Sequence, residues 1–241
     1  MVCNSDLHIS VNGETVLLDK SGALFCPAHA TLVFADLHFE KGSSFARRGA
    51  LLPPYDTRAT IKRMEETIAR HAPVRVIALG DSFHDGEAAD RLDDDDRASL
   101  RRLTVRAEWI WIEGNHDPQP PSWLGGRVAA EIALGGLVFH HVPGARGQAG
   151  EVAGHLHPAT TVSGRGMCVR RRCFVSDGAR LLMPAFGAYT GGLDVREAAI
   201  ASLFADGFAV YALGRERVYA VSGKSPARSG SRRPHASTSS A

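Results

Sequence analysis

Trp109-Ile110-Trp111-Ile112-Glu113-Gly114-Asn115-His116-Asp117 joins a run of bulky, β-favouring residues to a glycine and three polar side chains of different chemistry. The apolar half has the length and composition of a buried strand. The polar half then lies at its end, where asparagine offers a neutral oxygen, histidine a group titrating near neutral pH, and aspartate an orienting partner. The bland alternative is an ordinary polar turn, which the glycine and asparagine alone would suit.

The same design recurs on both sides of this stretch. Upstream, Val74 to Leu79 is an apolar strand ending in Gly80-Asp81, and Thr31 to Asp36 is another that leads into Leu37-His38. A carboxylate at the end of so apolar a strand is costly to bury unless a cation or hydrogen bonds compensate it, which makes Asp81 the candidate bridging ligand. Its plain alternative is a helix N-cap. His84, three residues on, is placed to line the same pocket. Asp36 and His38 stand two apart, so in an extended segment both side chains project to one side. Downstream, Leu137 to His141 ends in a histidine pair, and Glu151 to Val162 reads as a strand interrupted by Gly154-His155-Leu156-His157-Pro158. His155 and His157 again share a side, whereas His140 and His141 face opposite sides and periodicity does not choose between them. Ligands of α/β sheets bind beyond the carboxyl ends of strands, so these groups predict one composite site. They offer about seven ligands, enough for two divalent cations roughly 3.5–4 Å apart if Asp81 bridges them.

The remaining sequence frames this core. Leu7 to Asp19 alternates around Asn12-Gly13 and predicts an N-terminal β-hairpin. Asp56 suits an N-cap, and Ile61, Met64 and Ile68 recur at helical spacing until Ala72-Pro73. Cys173 to Ser176, Ala179 to Pro184 and Phe208 to Val221 read as further strands, with Gly214 in a hairpin turn. Asp93 to Asp96 reads as a solvated loop. Arg170, Arg171 and Arg172 read as a solvated basic strand face, with contact to a phosphate backbone as the alternative.

With 241 residues and 44% hydrophobic content, the chain suits a single large domain with a substantial core. We expect that domain over residues 1–221 and a disordered basic tail over residues 222–241, whose Ser, Arg, Gly and Pro carry no apolar period. No stretch approaches the roughly 20 apolar residues of a membrane span, and the N-terminus has no basic-then-apolar leader pattern, so a soluble cytoplasmic protein is expected. Four scattered cysteines do not make a disulfide framework, and the Cys168–Cys173 pair has no matching second pair for zinc. A net charge of +2 is too small to define a polyanionic ligand.

Taken in order, Asp36-x-His38, Gly80-Asp81-x-x-His84, Gly114-Asn115-His116-Asp117, His141 and Gly154-His155-x-His157 resemble the calcineurin-like metallophosphoesterases. The resemblance implies a four-layer α/β/β/α sandwich, two β-sheets flanked by helices. More narrowly, Ala35-Asp36-Leu37-His38-Phe39-Glu40-Lys41 leading to Arg47-Arg48-Gly49, with Pro184-Ala185-Phe186-Gly187-Ala188-Tyr189-Thr190-Gly191-Gly192, resembles the bacterial ligase-associated DNA-damage-response phosphoesterases. That family's ligand stands two residues before a proline, as His141 does before Pro143, although Val142 replaces its common acidic residue. Carried over by position, the superfamily pattern implies one metal on Asp36, His38, Asp81 and His157 and another on Asp81, Asn115, His141 and His155. It leaves His116 uncoordinated as the catalytic residue, to donate a proton to the leaving oxygen or stabilise the developing charge. The resemblance further implies manganese, with iron or zinc as alternatives, a DNA phosphodiester substrate, a role in repair, and functional association with a ligase and helicase system. A phosphatase or nucleotide pyrophosphatase on a small substrate, and a non-catalytic nucleic-acid adaptor, are the competing readings.

Overall fold

The computed structural model describes residues 7–50, 52–117, 119–144, 148–164 and 166–221; the basic tail expected over 222–241 lies outside them. Strands β1 (Leu7–Val11) and β2 (Glu14–Leu18) form the expected hairpin, with Asn12 and Gly13 at φ 48° and 83°. Both values are left-handed, as a two-residue type I′ turn requires. Strands β3 (Leu24–Cys26) and β4 (Thr31–Ala35) continue antiparallel. Then β5 (Arg75–Leu79), β6 (Glu108–Ile112) and β7 (Arg127–Ala129) add in parallel to complete a seven-stranded sheet in sequence order.

The second sheet has nine strands. Its members are β8 (Glu131–Leu134), β9 (Leu137–His140), β10 (Glu151–Ala153), β11 (Pro158–Gly164), β12 (Met167–Ser176), β13 (Leu181–Leu182), β14 (Leu193–Asp194), β15 (Ala209–Leu213) and β16 (Val218–Val221). The helices are α1 (Lys41–Arg47), α2 (Asp56–His71), α3 (Ala88–Arg91), α4 (Asp94–Thr104) and α5 (Ala198–Ala201).

Strand periodicity explains the layering. Val33, Ala35, Ile77, Leu79, Ile110 and Ile112 turn one way and pack on Leu137, Phe139, Val152 and Phe174 of the second sheet. Their neighbours Leu32, Phe34, Val76, Ala78, Trp109 and Trp111 turn the other way, onto Ile61, Met64 and Ile68 of α2 and Leu100 and Leu103 of α4. The inner strands are thus buried on both faces, which is why they read as unbroken apolar runs. Each such side chain removed from water contributes about 1.5–3 kcal/mol. On the far face of the second sheet, Ala153, Cys173, Val175 and Leu182 are covered by Val195, Ile200 and Phe204. The result is an α/β/β/α sandwich whose outer helical layer on that side is reduced to α5 and its flanking loop.

Three expectations are corrected. Asp56 is not the N-cap of α2: Tyr55 holds that position, and the buried Asp56 carboxylate accepts the Gly42 N–H at 2.9 Å, tying α2 to α1. Asp93 to Asp96 is not a solvated loop, because Asp93 caps α4 by accepting the Asp96 N–H at 2.7 Å and the three following aspartates fill the first turn. Carboxylates there are favoured by the helix dipole, and Asp96 is further held by Arg58 Nε at 3.1 Å. The three arginines of β12 do not form one solvated face. Alternation leaves Arg171 exposed and sends Arg172 inward, where its Nη1 donates to the carbonyls of Ala185, Phe186 and Gly187 at 2.8, 3.2 and 3.1 Å. Among the described residues the cysteines are free thiols, and no helix is long and apolar enough to cross a membrane.

Candidate metal centre

The carboxyl ends of β4, β5 and β6 meet the end of β9 and the loop between β10 and β11. This brings Asp36, His38, Asp81, Asn115, His141, His155 and His157 together. Their backbone is unusual. Asp36, His38, Asp81, His155 and His157 have φ of 52°, 45°, 45°, 65° and 47°, so the shared projection of each Asp/His or His/His pair comes from left-handed residues and not from extended strand. Conformations of this kind cost of order 1–3 kcal/mol each and persist only where the surroundings enforce them. Here the His38 N–H donates to the Asp81 carbonyl at 2.9 Å and Phe39 to Ser82 at 2.8 Å. The Gly154 N–H donates to the His141 carbonyl at 3.1 Å, and Gly187 donates to the Asp36 carbonyl at 3.1 Å.

Glycine is required where these loops touch. A Cβ on Gly80 would lie 2.3 Å from the His141 ring, and one on Gly114 would lie 2.2 Å from the Asp81 backbone nitrogen. Both strand-end glycines therefore mark contact between neighbouring loops as well as a turn.

The side chains form two groups, Asp36, His38 and His157 in one and Asp81, His141 and His155 in the other. In the first, His157 Nε2 is 3.2 Å from Asp36 Oδ1 and 3.3 Å from His38 Nε2. In the second, His141 Nε2 is 3.3 Å from Asp81 Oδ1, 3.3 Å from His155 Nδ1 and 3.0 Å from Asn115 Oδ1. Asp81 faces both groups, since its Oδ2 is 3.8 Å from His38 Nε2. Asp36 also accepts the His155 N–H at 3.1 Å. His140 points elsewhere, with Nε2 2.9 Å from Glu151 Oε1, so the structure brings His141 and not its neighbour into the cluster.

Electrostatics keep His38, His155 and Asp81 in their lone-pair-bearing forms, whereas the carboxylates beside His141 draw that ring toward protonation. Burial, with the neighbouring His157 charge, pushes His38 down to about 2, and burial also lowers His155. Burial would raise Asp81, but its bond to His141 and that residue's charge outweigh it and hold the carboxylate below the usual range. For His141 burial lowers the pKa and the Asp81 and Asp36 carboxylates more than reverse it. The ring nitrogen His141 Nδ1 lies 3.1 Å from the Leu79 carbonyl, which fixes that nitrogen as the N–H and makes Nε2 the nitrogen that would give up its proton to bind a cation. Nε2 then faces a carboxylate oxygen, an amide oxygen and another imidazole. Acceptors converging in this way are reconciled by a cation, and a mixed carboxylate, imidazole and amide set fits manganese, iron or zinc.

His116 belongs to neither group. Its side chain is 41% exposed, with Nε2 3.9 Å from Asp81 Oδ2. Nδ1 donates to the His84 carbonyl at 2.8 Å, and the ring stacks on His84 with centroids 5.5 Å apart. His84 lines the site as expected, its Nδ1 3.5 Å from His38 Nδ1, and burial lowers it to about 4. Asp117 does not orient a histidine. Its Oδ2 accepts the Phe83 N–H at 2.9 Å, holding the loop that carries Asp81, and burial raises it to about 7. Two features escaped sequence reasoning. Lys41 is half-buried beside Asp36 and Asp81, and Arg63 of α2 lies 4.3 Å over the Phe186 ring while donating to the Phe186 carbonyl. Arg63 looks like any surface helix charge in sequence, whereas Lys41 stood only four residues from Leu37.

Comparison with known families matches residues 29–172 to the calcineurin-like phosphoesterase domain. Among solved structures, the nuclease MPE of Pseudomonas putida is similar, with 28% identity and a TM-score of 0.70 over 90% of this chain and 100% of that one. Curated protein sequences give no match.

Proposed function

Because the chain belongs to the calcineurin-like phosphoesterases, a family of metal-dependent hydrolases of ester bonds, we propose that it is a two-metal nuclease cleaving phosphodiester bonds in DNA. The observation that carries this reading is Asp81, whose two carboxylate oxygens face opposite donor groups. Asp36, His38, Asp81 and His157 would hold one divalent cation, and Asp81, Asn115, His141 and His155 the other, with manganese the metal we favour. Bound there, the cations would supply the activated nucleophile and neutralise phosphoryl charge.

The protein's own residues then do the rest. Asp36, through its bond to the His155 N–H, fixes the loop between β10 and β11 against the end of β4. His84 orients His116 through its carbonyl, so that the N–H on Nδ1 is occupied and Nε2 is the atom that exchanges a proton with solvent or substrate. In its protonated form His116 gives that proton to the leaving oxygen, sparing the departure of an alkoxide. The likeness to a nuclease over almost the whole chain supports a nucleic-acid substrate, and the sequence resemblance supports a place in DNA repair beside a ligase and helicase.

The test is product analysis with end-labelled single- and double-stranded DNA and manganese-loaded protein, next to p-nitrophenyl phosphate and bis(p-nitrophenyl) phosphate. Metal-dependent cleavage of DNA and of the aryl diester is expected. Hydrolysis confined to the monoester would replace this reading with a small-molecule phosphatase.

A further inference from the structure

The motif from Pro184 to Gly192 has no task in the chemistry above, yet it packs against the first donor group. A Cβ on Gly187 would lie 2.2 Å from the Leu37 carbonyl oxygen, between Asp36 and His38, and one on Gly192 would lie 2.3 Å from the His157 carbonyl oxygen. The Leu193 N–H donates to that same His157 carbonyl at 3.1 Å. The segment therefore touches both stretches that carry Asp36, His38 and His157.

Arginines hold its carbonyls. Nη2 of Arg63 and Nη1 of Arg172 both donate to the Phe186 carbonyl, the latter at 3.2 Å, and Nη2 of Arg170 donates to the Gly192 carbonyl at 2.5 Å. Two donors on one oxygen place the Arg63 and Arg172 nitrogens no more than two hydrogen-bond lengths, roughly 6 Å, apart. Neither guanidinium touches a carboxylate among the described residues. Burial lowers both groups, and for Arg63, brought down to about 10, the Arg172 charge adds to the effect while Glu66 offsets it only from a distance. Elsewhere this fold balances its buried charges: Arg180 is engaged by Glu151, and Asp19 by Arg70 and His71. Arg63 Nε is buried with no hydrogen-bond partner, and the acceptors that Arg172 reaches are neutral carbonyls. Two half-buried like charges on neutral acceptors are costly, and an anion joining them relieves that cost.

We propose that Arg63 and Arg172 form a binding site for a tetrahedral oxyanion, separate from the metal centre and taking a phosphate group, with the exposed Arg170 at its rim. Arg170 stands two residues from Arg172 and so shares its strand face. Planar guanidinium forks match phosphate oxygens, and most donors of the central pair have no protein acceptor among the described residues. The phosphate group comes from a nucleic-acid backbone or from free phosphate. Because the readout is binding, the site stands or falls apart from the nuclease reading.

The experiment follows melting temperature of the full-length chain, manganese-loaded against sodium sulfate and metal-free against sodium phosphate, with sodium chloride at matched ionic strength as the blank. Wild type should gain about 3–6 °C over chloride at ten times the half-saturating concentration. Arg171→Ala, which removes an equal charge from the opposite face of β12, should gain as much. Arg63→Gln should show the chloride response alone; should it not fold, Arg63→Lys, which keeps one charge but not the fork, should raise the half-saturating concentration roughly tenfold. Anisotropy of a labelled oligodeoxynucleotide on the metal-free chain separates the two sources. A backbone phosphate in the site makes Arg63→Gln flatten the salt slope by about 0.7, whereas a site for free phosphate leaves oligonucleotide binding unchanged while the thermal gain is lost. No gain over chloride in wild type, an undiminished gain in the Arg63 variant, or an equal loss in Arg171→Ala would each overturn the site.

Discussion

Arg172→Met tests whether the loop behind the metal centre is held in place from the second sheet. Nη1 of Arg172 lies within hydrogen-bond distance of the carbonyls of Ala185, Phe186 and Gly187 at 2.8, 3.2 and 3.1 Å. One nitrogen carries two hydrogens, so these contacts amount to two charge-assisted bonds, one of them shared. Bonds to a charged group are worth about 1.5–3 kcal/mol each, and the relief of guanidinium desolvation returns part of that. A net loss of about 2–4 kcal/mol follows, or roughly 5–15 °C in melting temperature for a domain of this size. The effect should reach the site, because the Phe186 N–H bonds the Ala35 carbonyl at 2.8 Å and Gly187 bonds that of Asp36 at 3.1 Å. Scanning calorimetry and a manganese titration of aryl diester hydrolysis would show the lower transition and a weaker apparent metal affinity, while the exposed Arg171→Ala should melt as wild type. A melting shift below about 2 °C with unchanged metal dependence would refute the reasoning.

Asp81→Asn should remove both metals and abolish activity, because one shared charge cannot be supplied by an amide; retention of two metals by elemental analysis with near-normal turnover would show that Asp81 does not bridge. His116→Ala should lower turnover of alkyl-leaving-group substrates by roughly 10²–10⁴ while sparing activated aryl esters and metal content. Equal losses on both substrate types would remove the proton-donor role. Deleting residues 222–241, which carry Lys224, Arg228, Arg232 and Arg233, should weaken DNA binding and flatten its salt dependence without changing aryl diester hydrolysis; identical slopes with and without the segment would make it inert.

The layers and the location of the site were legible in sequence because both follow from one-dimensional patterns. Strands buried on both faces read as apolar runs, and each run ended in the residue that the fold brings to the centre. Periodicity failed where a side chain's surroundings come from distant segments. The arginines of β12 looked alike as a triplet, yet two-residue alternation separates Arg171 in solvent from Arg172 beneath the Ala185–Gly187 loop, and that loop could not be located from sequence. His140 and His141 pose the same problem. What separates them is the position of Glu151, fully buried and engaged by Arg180, which draws His140 away from the cluster. Asp93 to Asp96 was a misreading of a signal that was present, an aspartate followed by an acidic first turn and then Leu100 and Leu103 at helical spacing.

The left-handed backbone at five of the site residues was the least legible feature, and it shows how sequence and chemistry are matched here. Several strained residues in one cluster would consume a sizeable part of the roughly 5–15 kcal/mol that keeps a domain folded. Aspartate and histidine are among the non-glycine residues that enter this region most readily, while β-branched and bulky apolar residues resist it. The side chains suited to hard and borderline cations are therefore also those whose backbone can turn sharply off a strand end. Extended residues at Asp36 and His38 would carry the chain onward along the sheet. The left-handed turn instead lets the His38 N–H reach the Asp81 carbonyl and the Phe39 N–H reach Ser82, bringing two neighbouring strand ends close enough for one carboxylate to face both donor groups. The local strain and the position of Asp81 between the two donor groups are two consequences of the same turns.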